Sequence, residues 1–95
     1  MSSEDLERYE SEAELSLFRE YRDVVSMFRF VVETDRRAYL ANEVVRLSPP
    51  GADIMEYELV DAWVWDTYRQ SRFLKRVTIS TTRGVTIEEL PEREL

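Results

Sequence analysis

The sequence predicts an α+β domain, a long N-terminal amphipathic helix packed on an antiparallel β-meander of about four strands. Three observations carry this reading. Apolar residues recur every three or four positions from Leu6 to Phe28, the period drops to two from Met27 onward, and the links between the alternating stretches are short enough for hairpins. The chain has 95 residues, 43% hydrophobic and 35% charged, which is enough for one core and too few for two. It divides into a helix over 2–26, a sheet over 27–90 and a solvated tail over 91–95.

The helix is read from Leu6, Tyr9, Ala13, Leu17, Tyr21, Val24 and Phe28, which share one face, with Leu15, Phe18 and Val25 widening the stripe. Ser2 before Asp5 and Ser11 before Glu14 both have capping-box spacing, so the first ten residues are either the opening of this helix or a separate turn. Glu4, Glu7, Glu10, Glu12 and Glu14 crowd the N-terminal turns, where negative charge suits the helix dipole, and Glu4 with Arg8 adds ordinary i,i+4 support.

Phe28, Phe30 and Val32 then alternate with Arg29, Val31 and Glu33 as a first strand. Thr34 to Arg37 is a turn without glycine, and Tyr39 to Leu47 resumes strand character up to the Pro49-Pro50-Gly51-Ala52-Asp53 turn. Ile54 to Val60, extended towards Trp65, is a third strand with Met55, Tyr57, Leu59, Asp61, Trp63 and Trp65 on one face and Glu56 and Glu58 on the other. Phe73, Val77 and Ile79 alternate with Arg76, Thr78 and Ser80 as a fourth. Val85 to Leu90 fits a short strand or a helical turn, and Pro91 ends either. A single helix covers one face of such a sheet, which leaves the other face open for a partner or a second copy of the chain.

Composition narrows the chemistry. Without cysteine there is no disulfide, thiolate nucleophile or cysteine-ligated metal, and without histidine the commonest general base and zinc ligand are missing. Two glycines write neither a P-loop nor a dinucleotide fingerprint. The first residues lack the positive region of a secretory signal and no apolar run reaches the roughly 20 residues of a membrane span, so a cytosolic protein is expected. Net charge is −7, unevenly spread: residues 1–24 hold eight acids against three bases, residues 25–84 eight against nine, and residues 85–95 four against one. Such a chain repels a phosphate backbone overall while leaving room for a local basic patch.

The stretch from Asp61 to Arg76 holds both tryptophans, Tyr68, Phe73, three arginines and the only lysine. Trp65, Tyr68, Arg69, Arg72, Lys75 and Arg76 form the candidate binding patch, since aromatic faces interleaved with bases are what single-stranded RNA binding uses. Against it stands core packing of the aromatics beside a solvated basic turn, which a domain this small favours. Arg29, Arg36 and Arg37 join that patch where the first turn lies beside it. Asp61 and Asp66 with Glu58 are the carboxylates a Mg²⁺ site would draw on, but Asp61 and Glu58 fall on opposite faces of a regular strand; pairing of Asp61 or Asp66 with Arg69 or Arg72 is expected instead.

The segments EDLERYE (residues 4–10), LSLFREYRDVV (15–25), VVETDRR (31–37), YLAN (39–42) and DAWVWDTYR (61–69) resemble, in the same order and over nearly the whole chain, a family of small actinobacterial proteins known only as a domain of unknown function. The resemblance weakens between Glu43 and Val60. It implies genes that lie near those for ribonuclease HII and a ribosomal protein, a hint of RNA metabolism, and it brings no catalytic residues.

The expected function is a non-enzymatic interaction module without cofactor or metal, its partner a protein, RNA or the ribosome, and a homodimer its expected assembly. The alternative from another class is a carboxylate- and Mg²⁺-dependent hydrolase acting on nucleic acid or nucleotides.

Overall fold

A computed structural model describes residues 3–92, with the side chains of Arg8 and of 10–92. Ser2, the side chains of Leu6 and Tyr9, and residues 93–95 lie outside the described part, and with them the first capping box and most of the expected tail. Helix α1 runs Ser3–Val24 and passes through a 3-10 turn, Val25–Met27, closed by the Phe28 amide donating to the Val25 carbonyl at 3.2 Å. The strands follow as β1 Phe30–Glu33, β2 Ala38–Arg46, β3 Met55–Val64, β4 Phe73–Thr81 and β5 Thr86–Glu89. All pair antiparallel in the order β4-β3-β2-β1-β5. The sheet thus has five strands, not four: residues 86–89 take the strand alternative, and β5 returns to the free edge of β1.

Local chemistry explains the turns. Thr34 makes the glycine-free one between β1 and β2, its hydroxyl accepting from the amides of Arg36 and Arg37 at 3.2 Å each. Between β2 and β3, Gly51 sits at φ 81°, a conformation that favours glycine, while the Ser48 hydroxyl accepts from the Glu56 amide at 3.0 Å.

Helix α1 uses only part of its expected stripe. Leu17, Tyr21, Val24 and Val25 pack with Phe28, Val31, Leu40, Trp63 and Trp65. Leu15 and Phe18 are 50% and 54% exposed, so they do not widen the buried face. From Glu10 to Ser16 only Ala13 is even partly buried, so Glu10, Glu12 and Glu14 all face water.

The opposite face of the sheet is not open. A second core, Val32, Ala41, Leu59, Ala62 and Ile79, lies there, sealed by Tyr39, Val44, Tyr57, Leu74, Val77 and Val85. Val32, Ala41 and Leu59 have no exposed surface although no residue of α1 belongs to their cluster among the described residues. The strand connections show how this happens. Thr81 pairs with Met55, whereas Thr86 pairs with Glu33, opposite Ala38 at the far end of β2. On a flat sheet these points would be four strands apart, about 19 Å, and displaced further along the strands by roughly 33 Å. The five steps from Thr81 to Thr86 reach at most about 18 Å. The sheet therefore bends back on itself, and Arg83 after β4 comes within 3.7 Å of Asp35 in the β1–β2 turn.

The bend has a location. Leu40 pairs with Trp63 on the helix face, and the next residues, Ala41 and Ala62, point to the second core. Strict alternation would put Val44 and Leu59 back under the helix, yet both lie in the second core, as do Leu74 and Val77 together in β4. The faces exchange at the level of Asn42, Asp61 and Lys75, where Asp61 takes φ 53° and its carboxylate accepts from the Asn42 side-chain amide at 2.8 Å. Aspartate tolerates this left-handed conformation better than most residues. Two expectations are corrected here: Tyr57 and Leu59 do not share a face with Trp63 and Trp65, and Asp61 does not extend the aromatic face.

Candidate functional site

Trp63 is the largest fully buried side chain, 1% exposed, on the helix side of β3. A buried indole needs an acceptor, and Glu20 of α1 supplies it: Trp63 Nε1 donates to Glu20 Oε1 at 2.8 Å. The other oxygen of the same carboxylate accepts from Arg72 at 2.6 Å, and Arg72 Nε donates to the Asp66 carbonyl at 3.1 Å. One carboxylate thus ties the helix to β3 and to the loop after it. Glu20 carried no signal in the sequence beyond its place beside Tyr21 on the helix edge.

Asp66 organises that loop. Its Oδ1 accepts from the Tyr68 amide at 3.0 Å, and its Oδ2 pairs with Arg37 at 2.9 Å. The first turn therefore does lie beside the aromatic-basic segment, and Arg37 is the arginine it contributes. Arg36 lines a polar, open hollow of about 420 Å³ with Asp35, Ile54, Ser80 and Arg83. Asp35 beside Arg83 offsets the attraction that hollow has for anions.

The six residues of the sequence-derived patch are divided by this geometry. Trp65 packs against Trp63 and Tyr21, Arg72 is held by Glu20, and Arg76 pairs with Glu58 at 2.8 Å. Tyr68, 88% exposed, and Arg69 stand together in the loop, and Lys75 is exposed on β4 at the level of the bend. Among the described residues Arg69 and Lys75 form no ion pair. The expected pairing of Asp61 or Asp66 with Arg69 or Arg72 is replaced by Asp66 with Arg37, Asp61 with Asn42, and Arg72 reaching only the Asp66 backbone. Glu58, Asp61 and Asp66 each engage a different partner, and no group of three metal-ligating side chains converges among the described residues.

A second arrangement was not visible in the sequence. Tyr21, Trp63 and Trp65 meet in tilted and edge-on contacts, ring centroids 5.3 to 5.9 Å apart, and wall a hollow of about 210 Å³ where the helix meets the sheet. Val31, Ala38 and Leu40 line the rest, with Glu33 among them as its one acid. Tyr39 borders it too. Burial raises the Tyr39 phenol above its ordinary value, opposed by the nearby Arg37 and Arg69 guanidinium groups.

Among the described residues no helix is long and apolar enough to cross a membrane. No solved structure matches the chain. Its similar relatives include "Uncharacterized protein Rv2901c" of Mycobacterium tuberculosis (strain ATCC 25618 / H37Rv) and "Uncharacterized protein Mb2925c" of Mycobacterium bovis, each 55% identical over 97 residues, spanning 100% of this chain and 96% of the relative. Residues 1–95 match the family described as "Protein of unknown function (DUF2469)", and the chain belongs to that family.

Proposed function

We propose that the chain is a non-enzymatic interaction module whose contact site is the aromatic hollow at the helix–sheet junction, and that its partner is a protein. One observation carries this reading: Tyr21, Trp63 and Trp65 converge on a hollow that is apolar yet reachable from solvent. Aromatic anchors in well-packed pockets are where protein interfaces concentrate their binding energy. The hollow is smaller than the roughly 300–1,000 Å³ that drug-sized ligands occupy, so it suits a single anchoring side chain.

Site-specific photo-crosslinking tests the reading. A crosslinker replacing Glu33, at the hollow, is expected to trap a discrete protein adduct in native cell extract, while the same group at Asp53, exposed in the turn between β2 and β3 and outside the hollow's lining, traps none. Equal labelling from Glu33 and Asp53, or none from Glu33, would remove the reading.

RNA or ribosome contact is the second reading, and Tyr68 with Arg69 supports it as an exposed ring beside a guanidinium free of ion pairs among the described residues. Filter binding of RNA by wild type against Tyr68→Ala/Arg69→Ala tests it. No retention by wild type at low salt ends that reading.

A further inference from the structure

We infer that the hollow is a cation subsite that takes an arginine side chain of the protein partner. This inference rests on the proposed function and adds the chemistry of the anchor. Its first ground is the half-buried Tyr21 and Trp65 rings, with the buried Trp63 packed against both, because the faces of tryptophan and tyrosine attract cations, arginine most often. Its second ground is the charge opposite. Val31 lies on the helix face, so alternation along β1 puts Glu33 on that face too. Glu88 of β5 pairs directly with Val31, and Leu90, two residues on, packs in the same core, which places Glu88 on the same face as Glu33 and diagonal to it across the strand pair.

The hollow thus has indole and phenol rings on one side and the exposed Glu33 carboxylate on the other, with the exposed Glu88 one strand beyond its lining, and neither carboxylate forms an ion pair among the described residues. Of the basic groups near its other end, Arg37 is held by Asp66 and Arg72 by Glu20, while Arg69 lies on the Tyr39 side, away from Glu33 in the Tyr68 loop. A planar guanidinium fits this setting twice over, since it stacks on aromatic faces and presents a fork of donors to carboxylates. The volume of about 210 Å³ suits one side chain, and the net charge of −7 favours approach of a basic segment.

The test is an NMR titration of the intact chain with acetyl-Gly-Arg-Gly-amide, and with the citrulline peptide that keeps the shape and loses the charge. The arginine peptide is expected to give saturable shifts confined to Val31, Glu33, Ala38 and the Trp65 indole, and the citrulline peptide none. Glu33→Gln/Glu88→Gln, with both positions exposed and its melting temperature unchanged, is expected to bind the arginine peptide about tenfold more weakly. Equal response to both peptides, shifts spread along the acidic helix instead of the hollow, an unaffected double variant, or no response at tens of millimolar would each overturn the inference. A crosslinked partner at Glu33 without arginine-peptide shifts removes this inference alone. Absence of the crosslink removes the proposed function, and the arginine anchor with it.

Discussion

Replacing Glu20 by alanine tests how the domain is held together. In the native fold the carboxylate accepts from the buried Trp63 indole at 2.8 Å and from Arg72 at 2.6 Å. Alanine leaves the indole N–H without its acceptor at a site 1% exposed, a penalty of about 1–3 kcal/mol. It also removes a charge-assisted bond worth about 1.5–3 kcal/mol when fully sheltered. That second figure must be reduced, because Glu20 keeps 31% of its side-chain surface in water and Arg72 retains the Asp66 carbonyl. The expected loss is about 2–4 kcal/mol, a large part of the stability of a 95-residue domain. Urea denaturation followed by far-UV circular dichroism measures it without depending on the tryptophans. Repeating the substitution in a Trp63→Phe background, where no indole needs satisfying, should shrink the loss by about 1 kcal/mol or more. A Glu20→Ala variant within about 0.5 kcal/mol of wild type, or a cycle with no coupling, would refute the reasoning.

Trp63→Ala is expected to cost about 3–5 kcal/mol, and a variant that melts like wild type would place Trp63 outside the core. Asp61→Val should cost about 1–2 kcal/mol more than Asp61→Gly, because only glycine adopts φ 53° without strain; equal denaturation midpoints would contradict the bend. The folded pKa of Tyr39 lies above its ordinary 10.0, so the stability this contributes is complete below that pH and is lost as pH rises through the folded value. Tyr39→Phe should therefore flatten the fall in stability above pH 10.0, as read by denaturation at stepped pH. Mg²⁺ or Mn²⁺ should leave the melting temperature unchanged, since Glu58, Asp61 and Asp66 are bonded to separate partners; a clear rise would favour the hydrolase alternative. Self-association retains the unpaired β4 edge as its ground once the second sheet face is closed, and a constant 11.3 kDa mass by light scattering at high concentration would end it.

The helix and the succession of strands were legible because their signals are local. Spacing of three and four places Leu17, Tyr21 and Val24 on one face, and the Pro49–Asp53 run marks its turn. The bend was not legible, because it is a change of face shared by three neighbouring strands and marked locally only by the left-handed conformation of Asp61. A period-two reading carries Tyr57 and Leu59 straight on to Trp63, whereas the faces exchange at Asn42, Asp61 and Lys75, with Asp61 the one that takes a positive φ among the described non-glycine residues. The second core was hidden for the same reason: a sheet that closes on itself buries Val32 and Leu59 without the helix a flat sheet would need. For the site, composition identified Trp65, Tyr68 and Arg69 as chemistry-bearing residues. Sequence distance concealed that Arg72 and Trp63 meet on Glu20, 52 and 43 positions away, and that Tyr21 and Glu33 border the same hollow.

The hollow as the contact site is tested most directly by filling it. Ala38 lines it between Glu33 and Trp65, and Ala38→Phe occupies the space an incoming side chain would take. Capture of the crosslink-defined partner by wild type, Ala38→Phe and Tyr68→Ala/Arg69→Ala, compared at matched melting temperatures, should show binding lost in the filled variant and kept in the loop variant. Binding kept by Ala38→Phe and lost by the loop variant would contradict the account and move the contact to the exposed Tyr68–Arg69 loop.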